Sequence, residues 1–274
     1  MEFKQLTIPE HLKGYIQSFW FLKDNLSKTS NKSLQSFKLI ADGCPGLIFQ
    51  HAAYGTFYQN KKKLPVTFLY GPSTKYSTLE LDGQFYTIGM FFYPSAIKTV
   101  FGIDAHILTD NCVDLESIDK LIGKKLSEQL LNCTSVEAQV SQLITSITRL
   151  INQNEILPDV QVNYALKEII SSGGNISLKE LRSKMNLSER TLERRFKTWI
   201  GVSPKLFTRI CQFQSSIDQL KLNNYFKLSD IAFDNEFSDQ SHFIRAFKEF
   251  SGITPNHYIR KSQSLVENLT QVSS

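Results

Sequence analysis

The chain has 274 residues, 41% of them hydrophobic and 21% charged, with a formal net charge of +5 at pH 7. This length suggests two domains with ample apolar content for a core in each, and no apolar stretch approaches the ~20 residues of a membrane span. The composition therefore excludes a helical membrane protein. The positive charge is uneven, since residues 175–261 contain 15 Lys/Arg against 9 Asp/Glu, whereas residues 1–157 contain 15 against 14.

Targeting and metal-binding signals are missing from the sequence. The first residues, MEFKQLTIPE, have no basic stretch followed by an apolar run, so we expect no signal peptide and a cytoplasmic protein. The four cysteines form no C-x-x-C unit, and the five histidines are dispersed. We expect no metal, no cofactor, and reduced, mostly buried thiols at Cys44, Cys112, Cys133 and Cys211.

Residues 1 to about 112 are predicted to form short β-strands. Aromatic and β-branched residues recur there in short runs separated by Gly, Asn, Asp or Pro. The candidate strands are 15–23, 37–41, 46–52, 65–70, 77–81 and 84–92. Regularly spaced short strands favour a small barrel or sandwich over a parallel βαβ sheet.

An enzymatic metal site in this β-rich part is the less favoured interpretation. Such a site needs two or three histidines and a carboxylate that converge from strands. Only His51 and His106 are available, with Asp42 as the nearest acid. We expect His51 to be an ordinary strand residue, Asp42 to make a turn, and the chain not to be an enzyme. The aromatic residues can line an effector cavity or fill the barrel, so no ligand-binding residue is predicted.

From residue 114 to residue 154 the apolar period becomes helical. The longest segment, 135–153, is strongly amphipathic, and its apolar face can pack on the chain's own barrel or on another subunit. The apolar residues are Val136, Val140, Leu143, Ile144, Ile147, Leu150 and Ile151. A polar link then leads to a helix at 159–172, so we predict domains at 1–155 and 158–265 with a boundary within 152–160.

The stretch 177–201, SLKELRSKMNLSERTLERRFKTWIG, predicts a helix-turn-helix motif. Ser177 and Glu180 fit a capping box at the first helix, and Ser188 is placed to cap the second. The second helix buries Leu192 and Phe196. Its opposite face carries Arg190, Glu193, Arg194 and Lys197.

A second copy follows at 229–260, SDIAFDNEFSDQSHFIRAFKEFSGITPNHYIR. We expect Ser229 to cap its first helix, with Phe233 facing inward, and Ser238 to cap its second helix. Phe243, Phe247 and Phe250 form one apolar stripe at helical spacing. The opposite face carries Asp239, Gln240, His242, Arg245 and Lys248, which is either a DNA-reading face or a solvated one.

Residues 175–261 resemble the paired helix-turn-helix domain of the arabinose-regulator (AraC/XylS) family of bacterial transcription factors. The segment IAFDNEFSDQSHFIRAFKEFSGITPNHYIR carries most of this resemblance. It implies a seven-helix DNA-binding domain with a connecting helix at about 204–221. Less strongly, IADGCPGLIF at 40–49 and FFYPSAIKTVFG at 91–102 resemble segments of the cupin-like sensing domain that precedes such domains. The fold class is then α+β with two domains, a β-barrel or sandwich with following helices and an all-α domain.

The resemblance also implies which side chains meet DNA. Base edges are assigned to Arg190, Glu193, Arg194, Gln240, His242 and Arg245, because these types can pair with guanine, cytosine or adenine edges. Phosphates are assigned to Ser188, Lys197, Ser241 and Lys248. Two of these assignments have alternatives, since His242 can cap or pack and Glu193 can form a salt bridge with Arg190 or Lys197.

The implied partners are double-stranded DNA, a possible small-molecule effector, a second subunit bound through the N-terminal domain or helix 135–153, and RNA polymerase if the protein is an activator. Two rival functions stay open. One is a ligand-binding or enzymatic barrel with a vestigial DNA domain, and the other is a protein-interaction adaptor. Three positions depart from the family pattern, namely Gln212, Ser216 and Glu236, where the family has Arg, Ala and Gly.

Overall fold

Two antiparallel sheets form the N-terminal part of the protein. The structure is a computed structural model that describes residues 2–24, 34–118, 120–223 and 225–261. The first sheet has the order β1-β2-β9-β4-β7-β10, and the second has the order β3-β8-β5-β6. The strands are β1 Glu2–Gln5, β2 Ile16–Lys23, β3 Gln35–Leu39, β4 Gly46–Gln50, β5 Gly55–Gln59, β6 Lys62–Lys63, β7 Thr67–Tyr70, β8 Ser77–Gly83, β9 Tyr86–Phe92 and β10 Cys112–Asp114.

The central strands of the first sheet are buried on both faces. Leu47 and Phe49 of β4 pack with the helices that follow the sheet, whereas Ile48 points into a cluster shared with the second sheet. Because successive strand residues face opposite sides, a strand covered on both sides has a continuous apolar run. The run GLIFQ therefore predicts this central position.

All six predicted strands are confirmed, with ends that differ by up to two residues. The prediction missed β1, β5, β6 and β10, which are short or polar. It also missed a helix, Ala96–Phe101 (α1), that follows β9. A two-residue strand such as β6 is too short to show an alternating pattern in the sequence. It is a strand only because it pairs with β5.

The helices after the sheets close one side of the β-rich part. They are α2 Leu115–Ile118, α3 Lys120–Asn132 and α4 Val136–Asn154. Leu143, Ile147 and Leu150 of α4 are buried in the cluster that contains β4 and β9. Of the two alternatives left open for this amphipathic face, packing on the chain's own sheet is the one that the structure shows.

Seven helices lie between residues 160 and 261 of the described chain, as the family resemblance implied. They are α5 Val160–Ser171, α6 Leu178–Lys184, α7 Glu189–Trp199, α8 Pro204–Leu222, α9 Leu228–Asp234, α10 Gln240–Ser251 and α11 Pro255–Lys261. The first motif is α6 with α7, the second is α9 with α10, and α8 connects them. Residues 262–265, assigned to this domain from the sequence, lie outside the described residues.

The cysteines are free thiols, and each of the four is half-buried. Burial raises the pKa of Cys112 and that of Cys211 to about 12, so both are protonated and poorly nucleophilic at neutral pH. Within the described ranges no group of three or more His, Cys, Asp or Glu could hold a metal ion. No helix there is long and apolar enough to cross a membrane.

Candidate nucleic-acid interface

The first recognition helix, α7, separates an apolar face from a polar one. Leu192, Phe196 and Trp199 are buried against α5, α6 and α8. The opposite side chains, Arg190, Glu193, Arg194 and Lys197, are all exposed. The hydroxyl of Ser188 accepts a hydrogen bond from the backbone N–H of Thr191 at 3.2 Å, which confirms the predicted cap. The polar face is therefore free of packing along the whole helix.

The second recognition helix, α10, repeats this division. Phe243, Phe247 and Phe250 are buried, as their spacing predicted. Exposed side chains on the opposite face are Gln240, Ser241, Arg245 and Lys248.

Three details of the second motif were predicted wrongly. Asp239 rather than Ser238 caps α10, and its carboxylate accepts from the N–H of His242 at 2.7 Å, an interaction that lowers the pKa of Asp239. Lys227 rather than Ser229 precedes the first turn of α9. Phe233 is 83% exposed, not inward-facing. At the start of α9 the carboxylate of Asp230 accepts from the backbone N–H of Lys227 at 2.8 Å, so an aspartate accepts from the backbone at the start of both helices.

His242 is the least available of the predicted base-contacting residues. Its Nδ1 lies 3.2 Å from the hydroxyl of Ser238, and its ring packs edge-on against Phe237 at 5.6 Å between centroids. These contacts hold the side chain in the turn before the helix. The structure thus engages His242 in the capping and packing role that was its alternative.

Each of the two motifs has one residue with a left-handed backbone at the same place in its turn. Asn186 has φ 53° and Glu236 has φ 56°, and both follow the short first helix of their motif. Asn tolerates this conformation, whereas Glu is strained there by about 1 kcal/mol. The departure from Gly noted in the sequence therefore falls on a position that needs positive φ.

Replacing Glu236 with glycine is expected to stabilise the protein by about 1 kcal/mol, because the strain of the left-handed backbone is removed. The measurement is the urea midpoint of the full chain, followed by circular dichroism. Glu180→Gly, at an exposed position inside α6, is the matched control and should destabilise by a similar amount. An unchanged or lower midpoint for Glu236→Gly would contradict the strain.

The connecting helix α8 accommodates the other two departures. Gln212 donates from Nε2 to the carbonyl of Gly174 at 3.3 Å, and the buried hydroxyl of Ser216 donates to the carbonyl of Phe213 at 2.7 Å. Phe213 itself packs on Phe247 and Phe250 of α10. The helix has 19 residues and is thus ~28 Å long.

Two ion pairs tie the recognition helices to their neighbours, and the sequence did not reveal either. Arg195 of α7 lies 2.9 Å from both carboxylate oxygens of Asp159, which also accepts from the first N–H groups of α5. Arg209 of α8 lies 2.7 Å from Glu249 of α10 and stacks over Phe250. A capping Asp before α5 was a visible signal, but its partner lies 36 residues away.

This geometry agrees with a known domain family. A family model described as a helix-turn-helix domain matches residues 181–261. The chain carries an AraC-type helix-turn-helix domain. The family predicted from the sequence is thereby confirmed for this part of the chain. A second family model, described as a domain of unknown function (DUF6597), matches residues 5–114, which contain the two sheets.

Two similar proteins are described as transcriptional regulators of the helix-turn-helix type. An uncharacterized HTH-type transcriptional regulator of Staphylococcus aureus strain MSSA476 is 30% identical over 146 residues, which is 53% of this chain and 19% of that protein. A protein of the same description from strain MRSA252 gives the same values. The chain thus spans about a fifth of the length of these relatives.

Solved structures show weaker likeness. ToxT from Vibrio cholerae is 13% identical, with a TM-score of 0.44 over 89% of this chain and 98% of ToxT. A structure titled xylose-binding transcription activator xylR is 16% identical, with a TM-score of 0.33 over 45% of this chain and 39% of that one.

The Asp159–Arg195 pair offers a test of helix positioning in the AraC-type domain. Asp159→Asn keeps an N-cap for α5 but loses the charged partner of Arg195. Because the pair is partly exposed, we expect the free energy of unfolding to fall by about 1 kcal/mol. Urea unfolding of the full chain, followed by circular dichroism, measures this change. An unchanged midpoint would show that the pair does not hold α7 against α5.

A cavity of about 410 Å³ opens on the N-terminal part. Its apolar walls come from both sheets and are Leu39, Ile48, Phe68, Leu79 and Phe91. Asp42, Tyr70, Lys75 and Asp110 line its polar side. Burial and, after it, the carboxylate of Asp42 raise the pKa of Tyr70 well above its ordinary value, so this hydroxyl stays protonated at neutral pH.

The candidate metal-site residues lie in different surroundings. His51 follows β4 and packs edge-on against Tyr54 and Tyr86, each with centroids 5.1 Å from its own, and burial lowers its pKa. His106 is exposed in a short 3-10 helix, Ala105–Ile107, before β10. Asp42 accepts from the N–H of Cys44 at 3.1 Å, which confirms the predicted turn. His51 is thus a packing residue just beyond its strand.

Proposed function

We propose that the chain is a sequence-specific DNA-binding transcriptional regulator whose two recognition helices, α7 and α10, enter successive major grooves. The observation that carries this proposal is the repeated division of each helix into a buried apolar face and an exposed polar face. The ~28 Å length of α8 is close to the ~34 Å between successive major-groove faces of one side of the duplex.

The exposed side chains suit this role chemically. Arg190 and Arg194 can each bind guanine O6 and N7, Glu193 can accept from cytosine N4, and Gln240 can pair with adenine. Arg245 adds a second guanine reader on α10, while His242 contributes only if it leaves Ser238. The phosphates of the DNA backbone would be contacted by Ser188, Lys197, Ser241 and Lys248. Such contacts fix the position of the protein along the duplex.

Selection of bound duplexes from a random pool by the full chain tests this proposal. We expect enrichment of a site with two separated half-sites, with affinity that falls steeply as salt rises. Lys197→Ala should reduce the slope of log affinity against log salt by about 1 without changing the selected sequence. No enrichment, or salt-insensitive binding to a protein partner only, would favour the adaptor alternative.

We propose further that a small-molecule effector binds in the cavity between the two sheets. The apolar walls suit an aliphatic or aromatic body. The polar side contains two carboxylates, Asp42 and Asp110, against one exposed lysine, Lys75. Such a lining favours a molecule with a cationic or hydroxyl head over an anionic one.

Three matched probes test the class of effector, namely octylamine, octanol and octanoate, in calorimetric titrations of the full chain. We expect octylamine or octanol to bind at least about fivefold more tightly than octanoate, since a carboxylate would be repelled by Asp42. Asp42→Asn should remove this preference. Tighter binding of octanoate would exclude an effector with a cationic or hydroxyl head.

We also propose that the chain assembles into a homodimer and contacts RNA polymerase. Sedimentation of the full chain with and without the duplex tests the assembly into a homodimer.

A further inference from the structure

Five lysines lie at one end of the second sheet, which we call the basic end. Strand pairing brings this end together, because the last residue of β3 pairs with the first of β8. The last residue of β5 pairs with the first of β6 and with the third of β8. The lysines lie on β3, in the turn between β5 and β6, on β6 and in the loop before β8, and they are Lys38, Lys61, Lys62, Lys63 and Lys75.

The basic end carries unpaired positive charge. Four of its lysines are exposed, and the fifth, Lys38, is half-buried. Among the residues that the structure describes, none of the five forms an ion pair. Glu80 lies across Tyr58 from Lys63 in the sheet and is not within ion-pair distance of it. A surface of this kind attracts anions.

Lys61 occupies a turn position that favours glycine. The two-residue loop between β5 and β6 is Asn60-Lys61, with φ 51° at Asn60 and 64° at Lys61. Positive φ at both positions is the pattern of a type I′ turn, for which Asn-Gly is a preferred sequence. Lysine is strained at the second position, and backbone strain is typical of functional sites. Lysines on the edge strand β6 also prevent pairing with another chain, but that role needs no side chain in the turn.

The basic end lies beside the end of the second recognition helix. A Cβ at Gly252, the residue after α10, would lie 2.6 Å from the ring of Tyr76, and the ammonium of Lys38 lies 5.9 Å from the centre of that ring. The N–H of Gly252 donates to the carbonyl of Lys248, whose side chain is exposed in the last turn of α10. The basic surface therefore continues from Lys248 through Lys38 to the turn at Lys61.

We propose that the basic end binds DNA phosphates beyond the half-site that α10 reads, an inference that rests on the proposed DNA-binding function. Three spacings of ~4.8 Å separate β3 from β6, so the surface is ~14 Å wide. That width covers about four base pairs, at about 3.4 Å per pair along the duplex axis. Because phosphates carry no sequence information, this surface adds affinity and orients the N-terminal part without changing the bases that are read.

The first test trims the selected duplex on one side at a time. The starting duplex carries flanks of about ten base pairs, more than the about four that the basic end covers. The half-site read by α10 is the one at which Arg245→Ala relaxes the base preference. We expect removal of the flank beside it to weaken binding by the full chain at least about fivefold, and removal of the other flank at most about twofold.

The outcome separates this inference from the proposed function. If the wild type selects no duplex at all, the proposed function fails. If the wild type selects a duplex with two half-sites and the two flanks matter equally or not at all, only the inference about the basic end fails.

The second test removes three charges from the basic end. Lys61→Gln combined with Lys62→Gln and Lys63→Gln should reduce the slope of log affinity against log salt by about 2 to 3, since each phosphate contact contributes about 0.9. The triple variant should select the same bases as the wild type and should no longer respond to trimming of the flank. A slope and a trimming response like those of the wild type would overturn the inference.

The matched control removes the same charge from exposed positions on β1, α3 and α4. Lys4→Gln combined with Lys125→Gln and Arg149→Gln should change the slope by less than about 1 and leave the trimming response intact. Equal changes in slope for the two triple variants would show an effect of net charge alone, which also overturns the inference.

Lys61→Gly separates DNA binding from folding. Glycine removes the backbone strain of the turn, so the urea midpoint of the full chain should rise. The same change removes one phosphate contact, so the salt slope on the duplex with both flanks should fall by about 1. A higher midpoint with an unchanged slope would show that Lys61 is a turn residue only and would overturn its assignment to DNA.

Discussion

Phe213→Ala is expected to destabilise the protein by about 3–5 kcal/mol, the range for removing a buried aromatic side chain. Phe213 is fully buried at the middle of α8, and its ring lies 5.2 Å from Phe247 and 5.3 Å from Phe250 between centroids. Those two rings are the buried face of the second recognition helix. The cavity left by the change thus falls between the connecting helix and the helix that it supports.

Urea unfolding of the full chain, followed by circular dichroism, measures this change. Phe226, which is 99% exposed shortly after α8, provides the matched control, and Phe226→Ala should shift the midpoint very little. Similar midpoints for the two variants would show that the ring cluster does not stabilise the motif. Affinity of Phe213→Ala for the selected duplex should fall with the folded fraction as the temperature is raised.

Arg194→Ala is expected to weaken binding to the selected duplex by about 1–3 kcal/mol and to relax the base preference at one position. Arg194 is exposed at the centre of the polar face of α7. A guanidinium there can make two parallel hydrogen bonds to guanine, and a lysine cannot reproduce that geometry. Arg194→Lys should therefore recover only part of the lost specificity.

Competition titrations with the selected duplex and with single-base variants of it measure both effects. The neighbouring Arg195 faces Asp159 instead of the polar surface, so Arg195→Ala should lower affinity without relaxing any base preference. Arg149→Ala, on the exposed side of α4, controls for the loss of one positive charge. Unchanged affinity and footprint for Arg194→Ala would refute its assignment as a base reader.

Local signals made the paired motifs predictable from the sequence. Ser177 and Ser188 cap their helices as expected, and the aromatic stripe of α10 is buried because its spacing matches the helical period. The same signals failed where two acceptors competed for one helix end. Asp239 took the role predicted for Ser238, since the choice depends on the backbone conformation of each residue.

The candidate DNA-facing residues were identified from the sequence, but their surroundings were not. Arg194 and Arg195 are adjacent in the chain, yet Arg195 pairs with Asp159 whereas Arg194 is exposed on the polar face of α7. His242 was assigned with Arg245 to one face, yet it is held by Ser238 and Phe237. The partner of Arg195 lies 36 residues earlier in the chain, and the partners of His242 lie in the turn just before its helix. The helical spacing of the polar residues shows neither contact.

What the sequence by itself determined is the presence, order and polarity of the local elements: short strands first, then an amphipathic helix, then two capped helix pairs with a polar face each. Those features follow from residue-by-residue preferences and spacing, which act over a few residues. The tertiary structure alone decided the strand order, the approach of Thr109 to Gly201 and of Tyr76 to Gly252, and the cavity between the two sheets. These depend on close contacts between residues far apart in the chain, such as the carbonyl of Ala41 with Gln214, 173 positions away.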